Sequence, residues 1–227
     1  MRVLALETTE ALGSVALMAD GNLLAQLNLD PNQRSAQSLA PALSTILKKV
    51  GWRPADVRLV AVSIGPGSFT GLRVGVTAAK TFAYAVRADI LGIDTLEAVA
   101  AGAPPEVAAV SVAIDAQRGD VVAQSFRRRS DGWFEPADSG ALLPVDEWLQ
   151  RLPPGTTISG PALRKFAPQV PAGLTVLAPQ YWPPTAAAVA RLAARYYAEG
   201  RRDDLWTLVP HYSRPSAAEE KWDKLGR

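Results

Sequence analysis

A run of apolar residues that ends on an acid, a returning apolar segment and an Asp-Gly turn occur twice in this chain, about a hundred residues apart. The first copy is "RVLALE" at 2–7, followed by "GSVALMADGNLLAQLNL" with its turn at Asp20-Gly21. The second is "VAAVSVAID" at 107–115, in which Asp115 answers Glu7, Gly119 answers Gly13, and Asp131-Gly132 answers Asp20-Gly21. Asp-Gly is a strong hairpin signal because both residues accept the positive φ of a tight two-residue turn. A unit repeated at this separation is the mark of a duplicated lobe, with two half-cores facing one another across a cleft. On the residues alone, two unrelated hairpins remain the alternative.

Between the copies lies "AGAPPEV" at 101–107, whose prolines and glycine separate two well-patterned stretches. This divides the 227 residues into a first lobe at 1–103 and a reduced second lobe with a tail at 104–227, each long enough for its own apolar core. The first half reads βββαβαβ. After the three-strand meander, Leu39, Leu43, Ile46 and Val50 recur at helical spacing, with Ser38 as the expected cap, Pro41 in the first turn and Gly51 as the stop. The β-branched segment 57–64 reads as a buried strand. From Phe69 to Val86 a second helix follows, with Leu72, Val76, Ala79, Ala83 and Val86 on one stripe and Arg73, Thr77, Lys80, Tyr84 and Arg87 on the other. "DILGI" closes the set as a strand. The second half carries shorter helices, "VDEWLQRL" and "TAAAVARLAARYYAEG", and weak strands, "TTISG" and "LTVLA".

The loop "SIGPGSFTGLRVG" at 63–75 joins a buried strand to the second helix, the position of a phosphate cradle. Its chemistry departs from the known cradles. A P-loop needs a lysine and a hydroxyl after its last glycine, and Leu72-Arg73 stands there. The dinucleotide fingerprint needs its third glycine one residue earlier than Gly65-x-Gly67-x-x-x-Gly71 supplies it. The N–H groups of Ser68 to Gly71 at a helix start retain some affinity for an anion. Glycine inside a helix costs about 1 kcal/mol relative to alanine, so a close neighbour is expected along Gly71, Gly75, Ala78 and Phe82. That neighbour is either the helix at 38–50 of the same chain or a partner protein.

Composition removes several chemistries. The chain has no cysteine, which excludes disulfides, thiolate metal sites and cysteine nucleophiles, and it has one histidine, His211. Neither HxxxH nor HExxH can occur, so no histidine-pair metal site is expected, and His211 reads as part of an anchored tail. The net charge of +2 does not by itself predict nucleic-acid binding. Arg127, Arg128, Arg129, Arg191, Arg195, Arg201 and Arg202 form either a basic face or solvated turn charges. Tyr196, Tyr197, Trp206, Tyr212 and Trp222 read as packing anchors, with base stacking the alternative. The charged end "AAEEKWDKLGR" is expected to be mobile. With Glu7 interrupting the first apolar run and no run of 18 uncharged apolar residues, the chain reads as cytoplasmic, without a membrane role.

Three segments in order, "GPGSFTGLRVG", "AIDAQRGDV" and "PHYSRPSAA", give the chain a resemblance to the TsaB family, also called YeaZ or glycoprotease-like proteins, over essentially its whole length. The resemblance implies an α/β fold of the actin/Hsp70-like (ribonuclease H-like) class, duplicated in two lobes, each a mixed sheet with helices. It implies a non-catalytic scaffold in making threonylcarbamoyladenosine beside the tRNA anticodon, pairing with a TsaD-like catalytic subunit. A TsaE-like ATPase is a further partner, tRNA is met through the complex, and a homodimer is expected when the chain is alone. No cofactor is expected on the isolated chain, and a nucleotide between subunits is left open. The association surface would be the helical pair at 35–50 and 69–87, through Leu39, Leu43, Gly71, Gly75, Ala78 and Phe82. Gly65, Pro66, Gly67, Ser68, Phe69, Thr70, Gly71 and Arg73 form the motif loop. Where family members commonly carry an aspartate at the first turn and a histidine before the first helix, this chain has Glu7 and Ser35. The rival reading is a stand-alone actin-fold small-molecule kinase or ATPase, in which Glu7 and Asp115 would be paired cleft acids holding magnesium.

Overall fold

The computed structural model describes residues 1–30, 32, 33, 35–214 and 222. The charged end of the chain, apart from Trp222, and the side chain of Ser35 lie outside the described residues. Two mixed sheets with the same strand order dominate. In the first, β1 (Arg2–Glu7), β2 (Ser14–Ala19) and β3 (Asn22–Asn28) form an antiparallel meander, and β4 (Leu59–Gly65) and β5 (Asp89–Asp94) add parallel to β1 in the order β3-β2-β1-β4-β5. In the second, β6 (Ala109–Asp115), β7 (Asp120–Arg128) and β8 (Phe134–Pro136) repeat the meander. Two short parallel strands, β10 (Thr157–Ser159) and β11 (Thr175–Val176), extend it from β6, and β9 (Ala141–Pro144) pairs with β7. The duplication is therefore topological. Asp20 and Gly21 both have positive φ, +49° and +83°, as the two-residue β2–β3 turn requires.

Strand periodicity sorts the first sheet into two cores. Leu4, Leu6, Val60 and Val62 point to the face covered by α1 (Ser35–Val50) and α2 (Phe69–Val86). Val3, Ala5, Leu59 and Ala61 point to the opposite face. That face is covered by α6 (Ala186–Ala198), a run of small residues that lets helix and sheet approach closely. Helix α3 (Thr95–Ala100), which follows β5, in turn buries Leu96, Val99 and Ala100 against Val110, Val112, Ile114 and Phe126 of the second sheet. Each sheet thus lends its last helix to the other, and residues 186–198, which the division at 103/104 groups with the second half, pack on the first sheet. The outer face of the second sheet is covered by α4 (Val145–Arg151) and α5 (Leu163–Phe166), the latter a single turn where the first lobe has the long α2.

Helix α1 begins at Ser35, a turn before the expected Ser38, which is buried within the helix. Pro41 consequently lies inside the helix and removes an N–H from its ladder. The linker is clamped: the Arg128 guanidinium donates to the carbonyls of Ala103 (3.2 Å), Pro104 (2.8 Å), Val107 (2.8 Å) and Gly132 (2.8 Å).

Candidate association surface and the cleft behind it

The motif loop is a socket for the chain's own residues. β4 ends at Gly65, and the Ser68 hydroxyl caps α2 by accepting from the Gly71 N–H at 3.2 Å. A Cβ on Gly71 would lie 1.9 Å from the Thr8 carbonyl oxygen, and one on Gly75 would lie 2.1 Å from Thr8 Oγ1. Thr8 Oγ1 donates to the Gly71 carbonyl (2.8 Å), and the Ser68 N–H donates to the Thr9 carbonyl (2.8 Å). The β1–β2 turn therefore occupies the space that the missing β-carbons leave. This changes the reading of the helix glycines. Gly71 and Gly75, expected to face a partner or helix 38–50, are buried against Thr8, and their helix penalty is offset inside the lobe.

What remains open lies one step around the helix. Leu39, Ala40 and Leu43 of α1 and Val74, Thr77 and Ala78 of α2 line a groove of about 410 Å³, with Arg73 also on its wall. Five of its seven lining residues are apolar, with Leu39 and Leu43 at its floor belonging largely to the first-lobe core. Of the residues expected at an interface, Leu39, Leu43 and Ala78 line this groove, whereas Phe82 packs partly buried against the first-lobe core. Ala40 and Val74 were not singled out by sequence reasoning, and Thr77 was read only as part of the second helix's polar stripe. The signal available was their i, i+3, i+4 relation to Leu43, Ala78 and Arg73.

The cleft acids have parted company. Glu7 is fully buried at the end of β1, its Oε1 accepting both the N–H (2.7 Å) and the hydroxyl of Thr9. Its Oε2 and the hydroxyl of Ser63, on the neighbouring strand, have no hydrogen-bond partner among the described residues. Burial pushes the carboxyl up to about 7, against the smaller pull of the Thr9 hydrogen bonds. Asp115 instead accepts from the Gln117 N–H (2.8 Å) and pairs with Lys165 (3.4 Å). The acid that reaches across from the first hairpin is Glu10, whose Oε2 is 2.8 Å from Arg164 Nη1 of α5. Burial raises its pKa, and Arg164 opposes that. This pair ties the first hairpin to the second lobe. Among the described residues no group of three or more His, Asp or Glu side chains is placed to hold a metal ion.

After α6 the chain returns as a strap along the first lobe. Asp203 bridges to Ile90, Lys80 Nζ donates to the carbonyls of Trp206 and Leu208 (both 3.1 Å), and the His211 N–H donates to the Ile64 carbonyl (2.6 Å). The His211 carbonyl fills the place of a Cβ on Gly65, 2.3 Å from where that atom would lie. Tyr212 packs on Phe69 with ring centroids 4.7 Å apart and accepts from Arg73 Nε at 3.0 Å, while Arg214 pairs with Asp120 of the second sheet. The histidine lines an inter-lobe pocket of about 320 Å³ with Asp94, Leu96, Gln124 and Leu142.

The aromatic and basic residues of the second half are mostly engaged within the chain. Tyr196 bonds Glu97, Tyr197 bonds Asp89 (2.5 Å), Trp206 meets the Tyr84 ring edge-on, and Arg201 Nη2 donates to the Gly92 carbonyl (2.7 Å). Arg195 stacks over Trp133 and pairs with Glu199.

Comparison with known proteins converges. A family model described as TsaD, tRNA N6-adenosine threonylcarbamoyltransferase, matches residues 30–173. A curated relative, the tRNA threonylcarbamoyladenosine biosynthesis protein TsaB of Escherichia coli K12, is 31% identical over 99% of this chain and 98% of its own. Among solved structures, YeaZ from Pseudomonas aeruginosa superposes with a TM-score of 0.80 at 25% identity, covering 93% of this chain and 99% of that one. The activator of 2-hydroxyisocaproyl-CoA dehydratase from Clostridium difficile has a TM-score of 0.52 at 12% identity, over 90% of this chain and 99% of that one. It shares the duplicated two-lobe fold.

Proposed function

Because the chain belongs to the TsaB family of tRNA threonylcarbamoyladenosine biosynthesis proteins, we propose that it is a non-catalytic subunit of the complex that makes this modified nucleoside, acting by docking onto a TsaD-type threonylcarbamoyltransferase. The observation that carries the reading is the groove between α1 and α2, an unpartnered apolar furrow on the first lobe. Elsewhere on the molecule the Glu10–Arg164 pair ties the two hairpins together, and Glu7 is fully buried. Nothing in the geometry favours the kinase reading. A subunit of this kind contributes binding energy and shape to its partner rather than a reacting group. A TsaE-like ATPase and tRNA join it through the complex, in the cytoplasm where tRNA is modified. Among the described residues no helix is long and apolar enough to cross a membrane.

Thr77 is exposed and lines the groove, so Thr77→Trp fills the furrow without entering the core. The unaltered chain is expected to co-elute with the transferase of the same organism, and the variant to elute alone with an unchanged melting temperature. Co-elution of the variant at undiminished affinity would place the interface elsewhere.

A further inference from the structure

The two helices that flank the groove contain no carboxylate. Residues 35–50 read "SAQSLAPALSTILKKV" and residues 69–86 read "FTGLRVGVTAAKTFAYAV", so their charged side chains are Lys48, Lys49, Arg73 and Lys80, all basic. Lys48, Lys49 and Arg73 are exposed, and Arg73 lines the groove itself. The rest of the chain has 22 acidic residues against 20 basic ones, the four basic residues of these helices being taken from the chain's 24. All 22 acids stand outside these two helices, so the one-sided charge belongs to the helix pair and not to the whole molecule.

We propose that this charge pattern selects the occupant of the groove: an apolar helical ridge flanked by carboxylates, presented by a partner of different sequence, in preference to a second copy of this chain. The inference rests on the reading of the groove as an association surface and adds the chemistry of what it accepts. The argument is one of symmetry. Two copies meeting through this groove form an isologous contact, in which the same patch appears on both sides. Each copy then brings Arg73 and the exposed lysines of α1, and neither helix pair supplies an acid to meet them. Like charges brought together at an interface oppose association and suppress the wrong partner, whereas an acidic flank gains from the same residues. Arg73 is fixed for this purpose: its guanidinium lies 4.1 Å from the Phe69 ring centroid, with Nε bonded to Tyr212 Oη. It is ordered at the wall of the groove and is not free to swing away from a like charge.

The test compares two associations at two ionic strengths. Sedimentation measures self-association of the full chain, and calorimetry measures its binding to the transferase of the same organism, each at about 50 mM and about 500 mM NaCl, which shortens the screening length severalfold. Self-association is expected to be weak and to tighten at least about threefold with salt, while transferase binding weakens by a similar factor. Neutralising the face should move the two in opposite directions. Arg73→Gln, and independently Lys48→Gln with Lys49→Gln, should strengthen self-association and weaken transferase binding. A tight, salt-insensitive homodimer that Thr77→Trp disrupts would make a second copy the occupant and overturn the proposal while leaving the groove as the docking surface. A loss of both associations in the neutral variants would overturn it as well, showing that these side chains act by packing. If Thr77→Trp changes neither association, the groove is not an interface, and the functional reading fails together with this one.

Discussion

Replacing Glu7 by glutamine should stabilise the protein in alkaline solution, which is unusual for a mutation in a fully buried site. Glu7 is inaccessible to solvent, and among the described residues its Oε2 and the hydroxyl of Ser63 on the neighbouring strand both lack hydrogen-bond partners. The folded carboxyl titrates near 7 against an ordinary 4.5, so the native state binds the proton more tightly than the unfolded chain does. Between those two pH values the folded form holds more protons, and stability therefore falls as pH rises, levelling off above 7. Raising the carboxyl from 4.5 to about 7 corresponds to roughly 3 kcal/mol of stability lost as pH rises through that range. Glutamine is close to isosteric and never ionises. Its Oε1 can still accept from Thr9, and its amide can donate to Ser63 Oγ where the carboxylate could only accept from it. Glu7→Gln should therefore match the parent protein near pH 5 and exceed it near pH 8.5. For a chain of this size each kcal/mol shifts the melting temperature by roughly 2–4 °C, so a gain of several degrees is within reach. Calorimetric melting across this pH range measures it. A variant less stable than the parent at pH 8.5, or a difference that does not change with pH, would refute the reasoning, because either result means that Glu7 is comfortably ionised in the folded state.

Other expectations concern the socket and the strap. Gly71→Ala drives a β-carbon into the Thr8 carbonyl, 1.9 Å away, and should cost on the order of 2–4 kcal/mol in urea unfolding. Gly75→Ala meets instead the Thr8 hydroxyl at 2.1 Å, so its penalty should shrink by at least about 1 kcal/mol in a Thr8→Ala background. Additive effects in that double-mutant cycle would mean that Thr8 is not the obstacle. Arg214→Ala removes the strap's ion pair to Asp120, and hydrogen exchange at the His211 amide, bonded to Ile64, should accelerate while the core strands stay protected.

The duplicated architecture was legible because it is written in local chemistry. Asp20-Gly21 and Asp131-Gly132 force hairpins, and the apolar runs beside them force buried strands, whatever the rest of the chain does. The α1–α2 pair was equally visible in its periodicity, although Pro41 drew the expected start to Ser38, since a proline is most comfortable in a first turn and the structure carries it inside the helix. What could not be read was the identity of the neighbour across each close contact. A glycine in a helix announces that something approaches, but Thr8 lies 63 residues from Gly71 and its approach depends on how β1 and β4 register. The same limit applies to the cleft. Glu7 and Asp115 occupy equivalent places in the two copies, yet the acid that crosses the cleft is Glu10, selected by the position of Arg164 on a one-turn helix. The strap was read as an anchored tail without its sockets, because Gly65 and His211 are brought together only by the complete first lobe.

The central claim is that this chain assists adenosine modification through the α1–α2 groove without doing the chemistry. Reconstituted threonylcarbamoylation of tRNA measures this directly, with the threonylcarbamoyl-adenylate donor supplied and a TsaE-like ATPase present. The chain alone should form no modified nucleoside, addition of the chain should raise the turnover of the transferase, and Thr77→Trp should fail to do so. Modification by the isolated chain, or full stimulation by the groove variant, would contradict the account.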